Sequence, residues 1–192
     1  NRSTALSMNR MRITLPDTFP RSYHVHFCEG PGEVAARVAA LCGESHLYLV
    51  TDRNVYRHHG RTMEHILSRK GVWFRTAVLP GGERTKTRRS KEHLEDLLIR
   101  SGAERSSLIV AFGGGVVGDL AGFTAATLFR GIRLVHVPTT LLAQVDSSIG
   151  GKVGIDHPRG KNLIGAFHHP EAVLIDPGFL KTLPEKEFVQ GM

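Results

Sequence analysis

The chain has 192 residues, 41% of them hydrophobic, with 25 Lys and Arg against 18 Asp and Glu and a formal net charge of +7. That length fits one domain with a substantial core, and no apolar run approaches the length of a membrane span. The opening NRSTALSMNRMR lacks the continuous apolar core of a signal peptide, and Cys28 and Cys42 form no metal-spaced pair. A cytoplasmic protein with reduced thiols is the expectation.

Residues 1–20 read as a tail or tag remnant and 21–192 as one domain. Tyr23–Phe27 reads as a first strand, and Glu33–Cys42 as a helix stopped by Gly43. His46–Thr51 is the second strand. A helix carrying Val55, Met63, Ile66 and Leu67 follows and ends near Gly71. Val72–Leu79 is the third strand, closed by Pro80-Gly81-Gly82. Ser90–Ser101 places Leu94, Leu97 and Leu98 on one helical face, with Gly102 after it. Ser107–Phe112 (SLIVAF) has the composition of a strand buried on both faces. An Ala-rich helix comes next, then a strand at Arg133–Val137, a short helix around Leu141–Ser148, a glycine-containing loop after Ile149, and a last strand at Ala172–Asp176. This alternation predicts a Rossmann-like α/β fold: a doubly wound, mainly parallel sheet with helices on both faces, three layers in all.

Arg84, Lys86, Arg88, Arg89 and Lys91 crowd one segment, but no aromatic residue is interleaved with them and the run enters an amphipathic helix. They read as a solvated basic face that partly serves small-ligand phosphates, not as a nucleic-acid surface.

Gly113, Gly115 and Gly118 spell G-x-G-x-x-G between the buried strand and the Ala-rich helix. Glycines there let the backbone approach a pyrophosphate, and the helix offers free N–H groups and a positive dipole end to it. Two features are unusual. The motif follows the fourth strand rather than the first, and no Asp or Glu lies between Asp119 and Asp146 to hold a ribose. Asp119, read in the first turn of the helix, serves equally as a dipole partner.

Marked residues recur at the carboxyl ends of strands, where this fold class binds ligands. Asp52 and Asn54 follow strand two, Glu83 and Lys86 strand three, Gly114–Asp119 strand four, Thr139 and Thr140 strand five, and Phe179–Thr182 the last strand. Taken singly, Asp52 and Asn54 read as well as turn formers or helix caps. Their joint placement predicts one shared crevice.

Residues 137–156 (VPTTLLAQVDSSIGGKVGID) and 160–170 (GKNLIGAFHHP) resemble the 3-dehydroquinate synthase family of sugar-phosphate cyclases, as do TDRNV at 51–55, PGGERTK at 80–86 and FLKTLP at 179–184. The resemblance runs from about residue 46 to the C-terminus. It implies that Asp52, Asn54, Gly82, Glu83 and Lys86 hold the adenosine side of NAD. Gly114, Gly115, Val116, Val117, Gly118 and Asp119 would lie over its pyrophosphate, and Thr139, Thr140, Leu142, Phe179, Leu180, Lys181 and Thr182 along the rest of the groove. Asp146, Lys152, Lys161 and Asn162 would face the substrate, with both lysines near the nicotinamide. Arg130 would reach the substrate phosphate of a neighbouring subunit, which implies a homodimer.

The family converts 3-deoxy-D-arabino-heptulosonate 7-phosphate to 3-dehydroquinate and phosphate, using NAD catalytically and a divalent metal, Zn2+ or Co2+. The family's metal ligands, one Glu and two His, lie in a following helical domain. Here the sequence reaches Gln190-Gly191-Met192, and none of its 11 histidines has zinc spacing. The resemblance therefore implies the cofactor-binding part of a two-domain enzyme, without cyclase activity by itself. A metal-dependent polyol dehydrogenase related to glycerol dehydrogenase is the second reading, and a non-catalytic nucleotide-binding module the third. Lys152, Lys161 and Asn162 weigh against a neutral polyol, which offers no anion for those cations.

Overall fold

The computed structural model describes residues 22–189 together with Gly191 and Met192; the expected tail at 1–20 lies outside the described residues. In chain order the elements are β1 (His24–Phe27), α1 (Pro31–Cys42), β2 (Leu47–Asp52), α2 (Arg53–Val55), a π-helical turn Tyr56–Gly60, α3 (Arg61–Arg69) and β3 (Phe74–Leu79). A 3-10 turn Glu83–Thr85, α4 (Arg88–Arg100), β4 (Leu108–Gly113), α5 (Gly115–Thr127) and β5 (Arg133–Pro138) follow. The chain then runs through a π turn Ala143–Ser147, β6 (Lys152–His157), β7 (Gly160–Phe167), β8 (Ala172–Ile175), a 3-10 turn Pro177–Thr182 and α6 (Glu185–Val189).

Six strands form one parallel sheet in the order β1-β8-β5-β4-β2-β3. Period-two alternation divides their side chains between two cores. Leu47 and Leu49 of β2, with Leu108, Val110 and Phe112 of β4, pack against Val34, Val38, Met63 and Leu67 from α1 and α3. Tyr48 and Val50, with Ile109 and Ala111, face Leu94 and Leu98 of α4 and Leu120, Ala121 and Ala125 of α5 on the other side. The expected three layers are thus present.

The strand order resolves why the glycine motif follows the fourth strand. From β2 the chain steps outward to β3, then returns to β4 and steps the opposite way through β5 and β8. The reversal lies between β2 and β4, so the glycine motif on β4 stands beside the switch point even though it does not follow the first strand. The carboxyl ends of β2 and β4 are where this fold class places its ligand crevice.

Two sequence expectations are corrected. The glycine-containing segment after Ile149 is not a loop able to wrap a ligand: β6 and β7 pair as an antiparallel hairpin, Lys152 opposite Phe167 and Gly154 opposite Gly165. A Cβ on Gly154 would lie 2.7 Å from the Ile164 carbonyl oxygen, and one on Gly165 would strike that of Val153. These glycines permit close approach of two backbones, and the turning is done by Gly150 and Gly151, with φ of 90° and 71°. Asp119, in turn, is not in the first turn of α5 but one turn further in, beyond the reach of a capping role.

Candidate functional site

The segment entering α5 supplies the centre of the site. Gly114 is the N-cap of α5 and brings no capping side chain, so the first N–H groups of a 13-residue helix face the crevice unclaimed by a cap. None of Gly113, Gly114, Gly115 or Gly118 has positive φ; at the first three, close contact is what favours glycine. A Cβ at Gly113 would lie 2.6 Å from Val117, at Gly114 2.8 Å from Thr140, at Gly115 3.0 Å from Ser147 Oγ and at Gly118 3.4 Å from His136 Nδ1. Val117 is thereby buried over β4, while Val116 stays half-exposed.

His136, on the α5-facing side of β5, is buried, and desolvation pushes its imidazole down to about 4. It is neutral at physiological pH. Ser147 lines a small enclosed space with His136, Gly114, Gly115 and Gly118. The hydroxyls of Ser147, Thr139 and Thr51 are buried with no hydrogen-bond partner. Thr51 pairs with Phe112 across β2 and β4, and the Thr139 N–H donates to the Gly113 carbonyl at 3.0 Å. Of the three, the Ser147 hydroxyl stands beside the glycine turn; buried hydroxyls without partners cost stability unless a polar ligand meets them.

On the β2 and β3 side, Asp52 behaves as a cap: its Oδ1 accepts from the N–H groups of Asn54 at 2.7 Å and Val55 at 3.1 Å. Asn54 lies under the 80–82 turn, where Gly81 leaves room for its amide and Gly82 takes φ of 88°. That turn delivers Glu83 and Lys86. Lys86 is only 3% exposed, and its Nζ donates to Asp119 Oδ2 at 2.6 Å and to Asn162 Oδ1 at 2.5 Å. Burial pushes the Asp119 carboxyl up from its ordinary range, and the Lys86 ammonium pulls it back. Glu83 pairs with Lys161 at 3.3 Å. Cofactor-side and substrate-side candidates are therefore joined through charged contacts.

Lys152, Lys161 and Asn162 do not form one compact cluster. Lys152 opens β6 beside Asp146, at 3.6 Å and exposed, whereas Lys161 and Asn162 flank the turn at the other end of the hairpin. Five residue steps at strand rise separate these ends by about 17 Å. Arg130 is exposed beyond the far end of α5, away from the glycine turn, with φ of 64°.

Of the groove residues, Thr140 accepts from the Ala143 N–H at 3.3 Å and Leu142 is exposed. Phe179 is buried edge-on against Phe112, with ring centroids 5.3 Å apart, and lines the inner wall of the cleft beside His59. Leu180 is half-buried and Lys181 and Thr182 are exposed. Thr182 Oγ1 meets His59 Nε2 at 2.7 Å, and His59 with Lys181, Gly30 and Gly178 lines an adjoining cleft of about 520 Å³. His59, His136, Ser147 and Asp156 were not singled out as site residues from sequence. A lone His or Ser carries no spacing signal, and their roles depend on which strand and turn oppose them.

A profile of the 3-dehydroquinate synthase N-terminal family matches residues 76–190. The chain is 53% identical over 183 residues to the 3-dehydroquinate synthase of Nostoc punctiforme, covering 95% of this chain and 50% of that protein. It superposes with a TM-score of 0.85 on 2-epi-5-epi-valiolone synthase from Streptomyces hygroscopicus, solved with NAD+ and Zn2+ bound, at 28% identity over 94% of this chain and 49% of that one. A 2-deoxy-scyllo-inosose synthase complexed with carbaglucose-6-phosphate, NAD+ and Co2+ gives a TM-score of 0.78 at 32% identity, over 88% and 46% of the two chains. The chain spans about half the length of the curated relatives it matches. By its matched residues, the chain belongs to the 3-dehydroquinate synthase N-terminal family.

Proposed function

We propose that this chain is the NAD-binding part of a 3-dehydroquinate synthase, a carbon–oxygen lyase that releases phosphate from 3-deoxy-D-arabino-heptulosonate 7-phosphate. The observation that carries the reading is the uncapped start of α5 at the switch point, with the unpartnered Ser147 hydroxyl beside Gly115. Free N–H donors with a hydroxyl beside them suit the pyrophosphate of a dinucleotide. When bound, NAD supplies transient oxidation of a substrate hydroxyl and return of the hydride.

The chain's own residues hold and orient. Gly114 to Gly118 admit the diphosphate, with Thr139 and Thr140 on the β5 side. Lys86 neutralises Asp119 at the base of the crevice and fixes the Asn162 amide. Lys152, exposed beside Asp146, suits an anionic group of the substrate, while Lys161 pairs with Glu83 at the turn end of the hairpin. The reaction also requires a divalent metal, Zn2+ or Co2+, whose ligands we assign to residues beyond this chain. Among the described residues no group of three His, Cys, Asp or Glu is arranged to hold one.

The same reading makes the protein a homodimer in which Arg130 reaches the substrate phosphate of the partner subunit. Its support is the left-handed conformation of Phe129 and Arg130, with φ of 50° and 64°, a strain retained where surrounding structure demands it. The outer edge of β7 is also unpaired among the described residues, with Leu163 and Phe167 exposed. No helix of the described residues is long and apolar enough to cross a membrane, in keeping with a cytoplasmic enzyme. The test is phosphate release from the heptulosonate phosphate by the complete gene product at NAD concentrations far below substrate. Turnover that persists after NAD is stripped, or no release at all, would sink the proposal.

A further inference from the structure

We infer that Asp156 is a positioning residue that braces Asn162, locking the substrate-side hairpin to the cofactor-side turn at 80–86. Its substrate consequence rests on the function proposed above. Asn162 has φ of 56°, a left-handed conformation that costs energy for L residues but that Asn adopts more readily than most. The Asp156 carboxylate holds that conformation in place: its Oδ1 accepts from the Asn162 N–H at 2.8 Å. Asp156 stands at the irregularity in the β6–β7 register between Ile155 and His157. Its own N–H donates not across the hairpin but to the Lys86 carbonyl, at 2.9 Å. Lys86 closes the ring, its ammonium donating to Asn162 Oδ1 while also holding Asp119.

Three residues from two distant segments thus form a cycle: the Asp156 side chain to the Asn162 backbone, the Asn162 side chain to the Lys86 side chain, the Lys86 backbone to the Asp156 backbone. One consequence is directional. With Oδ1 committed to Lys86, the Asn162 amide offers its NH2 donors to a ligand, and a hydroxyl or carboxylate of a sugar acid is the matching acceptor. Without the Asp156 acceptor the Asn162 backbone relaxes toward negative φ, and the amide turns away from Lys86. Asn in place of Asp keeps an acceptor oxygen and preserves the brace; Ala does not.

The deciding experiment is amide hydrogen exchange at Asn162 in the 192-residue chain, with steady-state kinetics of the complete gene product beside it. Asp156→Ala is expected to speed Asn162 exchange at least tenfold and to raise KM for the heptulosonate phosphate about tenfold. NAD affinity and Tm should stay close to wild type, and Asp156→Asn should restore both exchange and KM. Unchanged exchange in Asp156→Ala, or an Asp156→Asn chain as impaired as the alanine variant, would overturn the brace. An absence of turnover in every form, wild type included, would count against the proposed function, while the exchange rates would still decide the role of Asp156.

Discussion

The parallel sheet and the β6–β7 hairpin share one chain but are held by different physics. Each central strand of the sheet is buried on both faces; all six residues of β4 are buried, and its hydrogen bonds run to β2 and β5. The hairpin buries mainly Val153, Gly154 and Ile155 of β6 against α5, while Leu163 and Phe167 of β7 stand 63% and 79% exposed. It is fixed at its turn end by the ring of Lys86, Asn162 and Asp156 and by the Lys161–Glu83 pair. The sheet is secured by apolar burial, and the hairpin in large part by polar contacts to the crevice. A ligand in that crevice therefore acts on the hairpin far more than on the sheet.

The largest expected effect lies in the sheet. Phe112 is fully buried between the central strands and Phe179, so Phe112→Ala should cost about 3–5 kcal/mol of unfolding free energy in urea titration. A cost close to that of a surface residue would break the division. Next is pH. The His136 imidazole titrates near 6.5 when unfolded but at about 4 in the fold. Stability is therefore complete above about 6.5 and falls as pH drops from there toward 4, by about 3 kcal/mol in all. His136→Gln should flatten that part of the pH profile; an equally steep profile in the variant would assign the effect elsewhere.

Smaller effects are expected in the hairpin. Gly165→Ala drives a methyl into the Val153 carbonyl and should cost about 1–3 kcal/mol, with exchange rising across β6 and β7 before β4. Uniform loss of protection throughout the sheet would show the two regions to be one cooperative unit. Phe167→Ser should change monomer stability by less than about 0.5 kcal/mol, while weakening self-association in sedimentation. Self-association equal to wild type in that variant would remove Phe167 from the proposed subunit contact.

The difference between the regions also explains what was legible in the sequence. The buried runs LYLV, LIVAF and AVLI announce two-sided strands, and all six sheet strands fall within two residues of their expected bounds. The start of α1 at Pro31 preceded the expected Glu33 because proline fits a first helical position. The hairpin was hidden by its own requirements. Gly150, Gly151, Gly154 and Gly160 read as loop formers and Pro158 as a bar to helix, yet Gly154, opposite Gly165, is needed for backbone contact and Pro158 sits in the turn. Short apolar runs at 153–155 and 163–167 on either side of that turn were the available signal. Strand ends carried the crevice residues into view, whereas the commitment of Lys86 to Asp119 and Asn162 emerges only when segments more than 30 and 70 residues apart meet. Phe179 serves both core and cleft, packing on Phe112 while lining the space beside His59, a double role that shows only once its neighbours are known.

The central claim is that the uncapped start of α5 binds a dinucleotide diphosphate, and calorimetric titration of NAD into the 192-residue chain tests it most directly. The account predicts saturable one-to-one binding by the wild type. It predicts loss of that binding in Gly115→Val, whose side chain would fill the approach beside Ser147 Oγ, 3.0 Å from the position of its Cβ. Absence of binding by the wild type, or wild-type affinity in a folded Gly115→Val chain, would contradict it.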